Sequence, residues 1–118
     1  INVGRSPQDR RLIEILSTTI LTVFPSVHVM DLPDSFNSIL FATVQLTTPD
    51  NLIANYLQIS QQPDAPPVLL KAMESAIANH QPTPSGSRIF TDDMAPIEWI
   101  TNDMIIDFFL AGDVEMLK

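Results

Sequence analysis

The sequence predicts an α/β chain in which about four amphipathic helices pack with two to three strands, two of them an antiparallel terminal hairpin. Leu12, Ile13, Leu16, Ile20, Val23 and Phe24 recur at helical spacing. Two apolar, β-branched runs, residues 27–32 and 38–44, flank the turn-forming Pro33-Asp34-Ser35. Proline opens the other periodic segments at Pro49, Pro67 and Pro96, where a missing amide proton is tolerated because the first helical amides have no partner within the helix.

The first helix is expected over residues 6–24. Ser6 supplies a capping hydroxyl, Pro7 the first helical position and Asp9 an acid beside the free amides, while Pro25 ends the run because it cannot extend the ladder. The second strand of the hairpin, Ser38-Ile39-Leu40-Phe41-Ala42-Thr43-Val44, is nearly continuously apolar and reads as an interior strand covered on both faces. A hairpin alone is marginal, so a further strand is expected from residues 1–3 or from sequence outside this chain. Thr48-Pro49-Asp50-Asn51 starts a second helix carrying Leu52, Ile53, Tyr56, Leu57 and Ile59, and residues 67–79 form a third. Residues 80–88, with two prolines and a glycine among polar side chains, read as the most mobile loop. A last helix over residues 96–110 sets Ile97, Ile100, Met104, Ile105 and Phe108 against Glu98, Thr101, Asn102 and Asp107, and Gly112 is placed to end it.

At 118 residues and 45% hydrophobic content, the chain suffices for one core and reads as a single domain, 1–118, or part of one. The net charge of −8 opposes a phosphate-backbone partner, so no nucleic acid is expected. Arg5, Arg10 and Arg11 lead the chain, whereas Asp92, Asp93, Glu98, Asp103, Asp107, Asp113 and Glu115 put half the acids in its last quarter. That asymmetry reads as a solvated acidic face, with steering of a cationic partner as the alternative. The absence of cysteine excludes disulfides and thiolate chemistry. No run reaches the ~20 apolar residues of a bilayer span, so no membrane span is expected. Ile1 at the start, without a charged leader and apolar core, reads as a chain cut from something longer.

No complete catalytic or cofactor motif is visible. Gly4, Gly86 and Gly112 are isolated, whereas a phosphate loop needs closely spaced glycines for its amides to approach the ligand. His28 and His80 lack partners at metal or triad spacing, and Ser85-Gly86-Ser87 lacks the strand and helix of a nucleophile elbow. The candidate segment is Thr91-Asp92-Asp93-Met94-Ala95-Pro96-Ile97-Glu98-Trp99. Its acids fit capping of the last helix, with Trp99 as a partly buried anchor and Arg88 as an ion-pair partner. The functional alternative has Asp92, Asp93, Glu98 and Trp99 contacting a cationic substrate or partner, and an oxygen-ligated magnesium or calcium is a third reading. No catalytic, cofactor-binding or metal-ligating residue is assigned within the chain.

The segment Thr91-Asp92-Asp93-Met94-Ala95-Pro96-Ile97-Glu98-Trp99, taken with Asn2-Val3-Gly4 and with a helix closing on Val23-Phe24-Pro25-Ser26-Val27 before a hairpin, resembles the C-terminal half of the spermidine-synthase-like family. The resemblance implies a Rossmann-like fold of the S-adenosylmethionine-dependent methyltransferase type, sometimes fused to a membrane transporter segment. Residues 1–3 would end its fifth parallel strand, and the final strand would insert antiparallel beside it. It implies polyamine biosynthesis or related chemistry: aminopropyl or methyl transfer from S-adenosylmethionine or its decarboxylated form. The glycine loop, ribose-binding acid and catalytic aspartate would lie upstream, so this fragment would bind no cofactor and not be catalytic alone. Its partner would be the remainder of the parent chain, with a homodimer through exposed strand edges as a second expectation and a cytoplasmic location, or that of the soluble domain of a membrane-fused parent, as a third. In the family a threonine-tyrosine-proline-type motif lies near the polyamine between the last two strands. Here that loop reads Leu32-Pro33-Asp34-Ser35-Phe36-Asn37, which leaves putrescine, another acceptor and methyl transfer all open. The alternative class is a non-catalytic interaction or dimerisation module.

Overall fold

A computed structural model describes residues 1–93 and 96–112. Along the chain run β1 (Asn2–Gly4), α1 (Arg11–Ile20), β2 (Ser26–Asp31), β3 (Asn37–Thr43), α2 (Pro49–Ser60), α3 (Pro67–Ala78), β4 (His80–Gln81) and α4 (Ile97–Leu110). The fold is α/β: four helices and an open four-strand sheet of order β1-β3-β2-β4, each pairing antiparallel. Since β1 and β2 both oppose β3, they run parallel to each other on either side of it, and α1 is the connection between them.

The strand alternation sorts the sheet into two faces. Val3, Val27, Val29, Ser38 and Leu40 point to one, where α1 contributes Leu12, Ile13 and Ile15 and α4 contributes Ile100 and Met104. Leu16, Ile20 and Phe90 pack against this core. His28, Met30, Ile39 and Phe41 take the opposite face, and Phe41 remains 44% exposed. β3 is thus interior in the sheet, as its apolarity predicts, but only its Ser38 and Leu40 side is sealed. The reason lies in α2 and α3, which pack on each other but bury only Met73 between them. The result is a slab of 51 × 38 × 18 Å. Its radius of gyration is 16.5 Å, against about 13.5 Å for a compact domain of this length.

Several boundaries differ from expectation for identifiable reasons. α1 begins at Arg11 rather than Ser6, because the Ser6 hydroxyl accepts the Asp9 amide at 2.9 Å and closes a separate turn. The Asp9 carboxylate then accepts the Arg11 amide at 3.0 Å. At its other end the helix relaxes into turns over residues 21–23 before Pro25. The sheet has four strands instead of two to three, because residues 80–81, expected in a loop, pair with β2 through Val29 and Met30. The rest of that segment is tied down: Thr83 Oγ1 donates to the Val27 carbonyl at 2.6 Å, Thr18 Oγ1 accepts the Gly86 amide at 2.9 Å, and Thr19 Oγ1 accepts the Phe90 amide at 2.8 Å. α2 starts where the sequence places it, with Asn51 Oδ1 accepting the Thr48 amide at 2.7 Å. Gly112 follows the end of α4 with a φ of 77°, the left-handed conformation that closes a helix.

Candidate functional site

An apolar groove of about 400 Å³ lies where β1 ends, β3 begins and α4 passes over both. Arg5, Phe36, Met104, Ile105, Phe108 and Phe109 supply most of its wall. The Arg5 amide donates to the Phe36 carbonyl at 2.7 Å, fixing the exit of β1 against the turn between β2 and β3. That turn is tight enough to place Asp34 at a φ of 52°, a conformation aspartate tolerates better than most residues. The rings of Phe36 and Phe108 meet edge to face with centroids 5.5 Å apart, and Phe109 continues the cluster 6.1 Å from Phe108. α4 reaches the groove because Ile100 and Met104 anchor it in the core one turn apart, with half-buried Phe108 a turn further on. This buried stripe is narrower than the sequence predicts, since Ile97 and Ile105 are 42% and 48% exposed.

Beside the groove lies a polar cluster centred on Asp31, the last residue of β2. Arg10 grips its carboxylate with two bonds, of 2.8 and 3.0 Å, and the fully buried Ser38 donates to it at 2.6 Å. Arg5 Nε lies 3.3 Å from the same carboxylate and donates to Ser38 Oγ at 3.1 Å, while its Nη2 donates to the Ser35 carbonyl at 3.2 Å. Partial burial pushes the Asp31 pKa upward, but the bonds from Arg10 and Ser38 and the two guanidinium charges outweigh it and hold the carboxyl below its usual range. Two guanidiniums against one carboxylate leave this cluster with a net positive charge. Its members come from the two strands of the hairpin beside its turn and from the segment before α1, a convergence that residue spacing does not reveal.

A second hollow, of about 250 Å³, lies between the other face of the sheet and the α2–α3 pair. His28 and His80 border it with ring centroids 6.3 Å apart, and His28 Nε2 is 2.8 Å from Thr47 Oγ1. Burial, then the neighbouring His80, lowers the His28 pKa below its ordinary value. Neither histidine has a carboxylate or thiol in a ligand set: among the described residues no three His, Cys, Asp or Glu side chains gather in a way that could hold a metal ion.

The acids singled out in the sequence sit elsewhere. Asp92, Asp93, Glu98 and Trp99 are all exposed, and none of them lines the groove. Among the described residues no side chain caps α4, whose N-cap position is Pro96, but Glu98 lies in its first turn, where an acid complements the helix dipole. Trp99 is 79% exposed rather than partly buried. Among the described residues Arg88 forms no ion pair with Asp92 or Asp93; instead Arg11 bridges Asp9 and Asp107. Met94 and Ala95, which complete the string, and Asp113 and Glu115 of the acidic tail lie outside the described residues.

Fold and site together define an α/β chain with an aromatic-walled groove at the carboxyl end of its first strand. No family model matches the sequence, and neither the curated proteins nor the solved structures include a match.

Proposed function

We propose that the chain is the C-terminal part of a spermidine-synthase-like transferase domain, supplying the terminal strands of the sheet and one wall of the acceptor cleft. The observation that carries this reading is the insertion of β3, antiparallel, between two strands that run parallel to each other and are joined through α1. The resemblance implies a last strand inserted antiparallel beside the fifth, the relation that β3 has to β1. The free side of β1 fits as well. Ile1 and Leu40 exchange backbone bonds of 2.8 Å and the Arg5 amide bonds to Phe36, so the intervening Asn2 and Gly4 turn their backbone groups away from β3, toward the position of further strands. The incompletely covered second face and the thinness of the slab are what a part of a larger sheet presents. The groove lies at the carboxyl end of β1, the side on which open α/β sheets hold their ligands.

The residues present do not fit an adenosyl cofactor. Gly4 ends a strand, Gly86 lies in a loop and Gly112 follows a helix, so no run of glycines lets backbone amides approach a phosphate or sugar. No transfer step is therefore assigned to this chain, whose part is to orient and enclose. Calorimetry with methylthioadenosine separates the parts: no heat is expected from the 118 residues alone, and saturable binding from the full gene product continuing the sheet beyond β1. Absence of adenosyl binding by that product would overturn the reading.

The free edge of β1 also favours a second reading, a module that pairs strand to strand with another copy. The hairpin is not the surface for this, since β3 is interior and β2 is partly covered by β4. In that case the chain sediments as a dimer, and substitution of proline for Asn2 or Gly4 disperses it.

A further inference from the structure

We infer that the groove accepts an aromatic or bulky apolar molecule with an anionic head, and not a polyamine. This deepens the transferase reading and rests on it for the word acceptor, but the groove chemistry stands without it. The volume of about 400 Å³ suits a small organic ligand. Phe36, Phe108 and Phe109 offer aromatic surface, and Met104 and Ile105 close the apolar wall.

Among the described residues, the only charged one in that wall is Arg5. Its Nε and Nη2 are engaged by Ser38, Asp31 and the Ser35 carbonyl, whereas Nη1 makes no hydrogen bond among the described residues. Those same bonds hold the guanidinium in place, so a carboxylate would meet a preorganised partner. Asp31 offsets one charge of the cluster, but Arg10 restores the excess. Arg5 also borders the adjoining polar hollow together with Asp31 and Asp34, neither of which lines the groove.

An ammonium group would fare badly in the same place. Moving it out of water requires a carboxylate or a set of acceptors, and among the described residues the wall offers no carboxylate, only the neutral side chains of Ser6, Asn37 and Thr101. The phenylalanine faces could attract a cation weakly, but the fixed charge of Arg5 opposes it over a similar distance. The acids that would suit a polyamine, Asp92, Asp93 and Glu98, are solvent-exposed outside the groove.

A matched series isolates the head group: phenylpropionate, phenylpropanol and phenylpropylamine share one arene and differ in charge. Each is titrated into the isotopically labelled chain at neutral pH, with spermidine as a fourth probe, and backbone amide shifts are followed. Phenylpropionate should give saturable shifts at Gly4, Arg5, Phe36, Asn37 and Met104, binding about tenfold more tightly than phenylpropylamine, with phenylpropanol between them. Phe109→Ala, at a residue 55% exposed and therefore safe for folding, should weaken phenylpropionate about fivefold or more. Thr101→Glu, which puts a carboxylate into the wall, should invert the order of phenylpropionate and phenylpropylamine. Equal or tighter binding of phenylpropylamine, saturable spermidine shifts at the groove amides, or shifts scattered over the exposed apolar residues without saturation would each overturn the inference. Failure of methylthioadenosine binding in the full gene product leaves these results unaffected and removes only the transferase reading.

Discussion

Replacing Asp31 by asparagine keeps the side chain's shape and removes the charge that two guanidiniums and a buried hydroxyl share. Its side chain is 20% exposed, Arg10 is 30% exposed and Arg5 only 13%. Breaking a fully buried pair costs about 3–5 kcal/mol and an exposed one 0–1, so this intermediate position sets the expected loss at about 2–3 kcal/mol. Much of it comes from what remains: Ser38 Oγ, fully buried, loses its charged acceptor, and the bidentate grip of Arg10 is halved because an amide nitrogen cannot accept. With a urea dependence of about 1–2 kcal/mol per molar, the midpoint followed by far-ultraviolet circular dichroism should fall by roughly 1–3 M.

The pH dependence gives an independent check. Asp31 has a depressed pKa in the folded chain, so its contribution is complete above the unfolded value of about 3.9 and is lost as pH falls through the lower folded value. The gap between the parent and Asp31→Asn should therefore be full at pH about 7 and narrow steadily below pH about 4. A midpoint change under about 0.3 M at neutral pH, or a gap that persists unchanged into strong acid, would refute the reasoning.

Ser17 presents the reverse case: its hydroxyl is fully buried in α1 with no hydrogen-bond partner among the described residues. Ser17→Ala removes that unmet group and improves helix propensity, so it should stabilise the chain by about 1 kcal/mol and raise the midpoint of thermal unfolding by about 4 °C; a lower midpoint would contradict the assignment. His28 carries a pKa lowered first by burial and then by His80, so its neutral form favours the folded state. That stability is complete above the unfolded pKa of about 6.5 and declines as pH falls toward the folded value; His28→Gln, measured by urea titration between pH about 7 and 5, should flatten the decline, and an unaltered slope would exclude His28 as its source.

The large elements were legible in the sequence because their determinants are local. Proline and hydroxyl at the start of α2, Pro67 opening α3 and the β-branched run of β2 are each read within a few residues. The displaced start of α1 shows the limit of such reading: Ser6 and Asp9 do bond backbone amides, but on two successive turns instead of one helix. β4 was missed because two residues carry no periodicity and owe their strand to pairing with Val29 and Met30. The site was least legible. Its aromatic wall joins Phe36 to Phe108 and its charged cluster joins Arg5 and Arg10 to Asp31 and Ser38, pairings that only tertiary structure creates. The conspicuous acids around Trp99 drew the eye through their density, yet density of charge is what solvent exposure permits, and Trp99 shares that exposure.

The place of β3 between β1 and β2 has a consequence for synthesis. Ile1 pairs with Leu40, 39 residues later, so β1 leaves the ribosome before its β3 neighbour exists and waits for it while α1 and β2 emerge. At about 5–20 residues per second that interval lasts on the order of 2–8 s. The hairpin can form locally first, and β1 then docks on a finished edge. During the wait, Leu40 of β3 is not yet in place against Leu12, Ile13 and Ile15 of α1. The strand that completes the sheet is therefore also its timer, and a synonymous slowing of translation before Asn37 should lengthen the window in which this chain is open to misassembly.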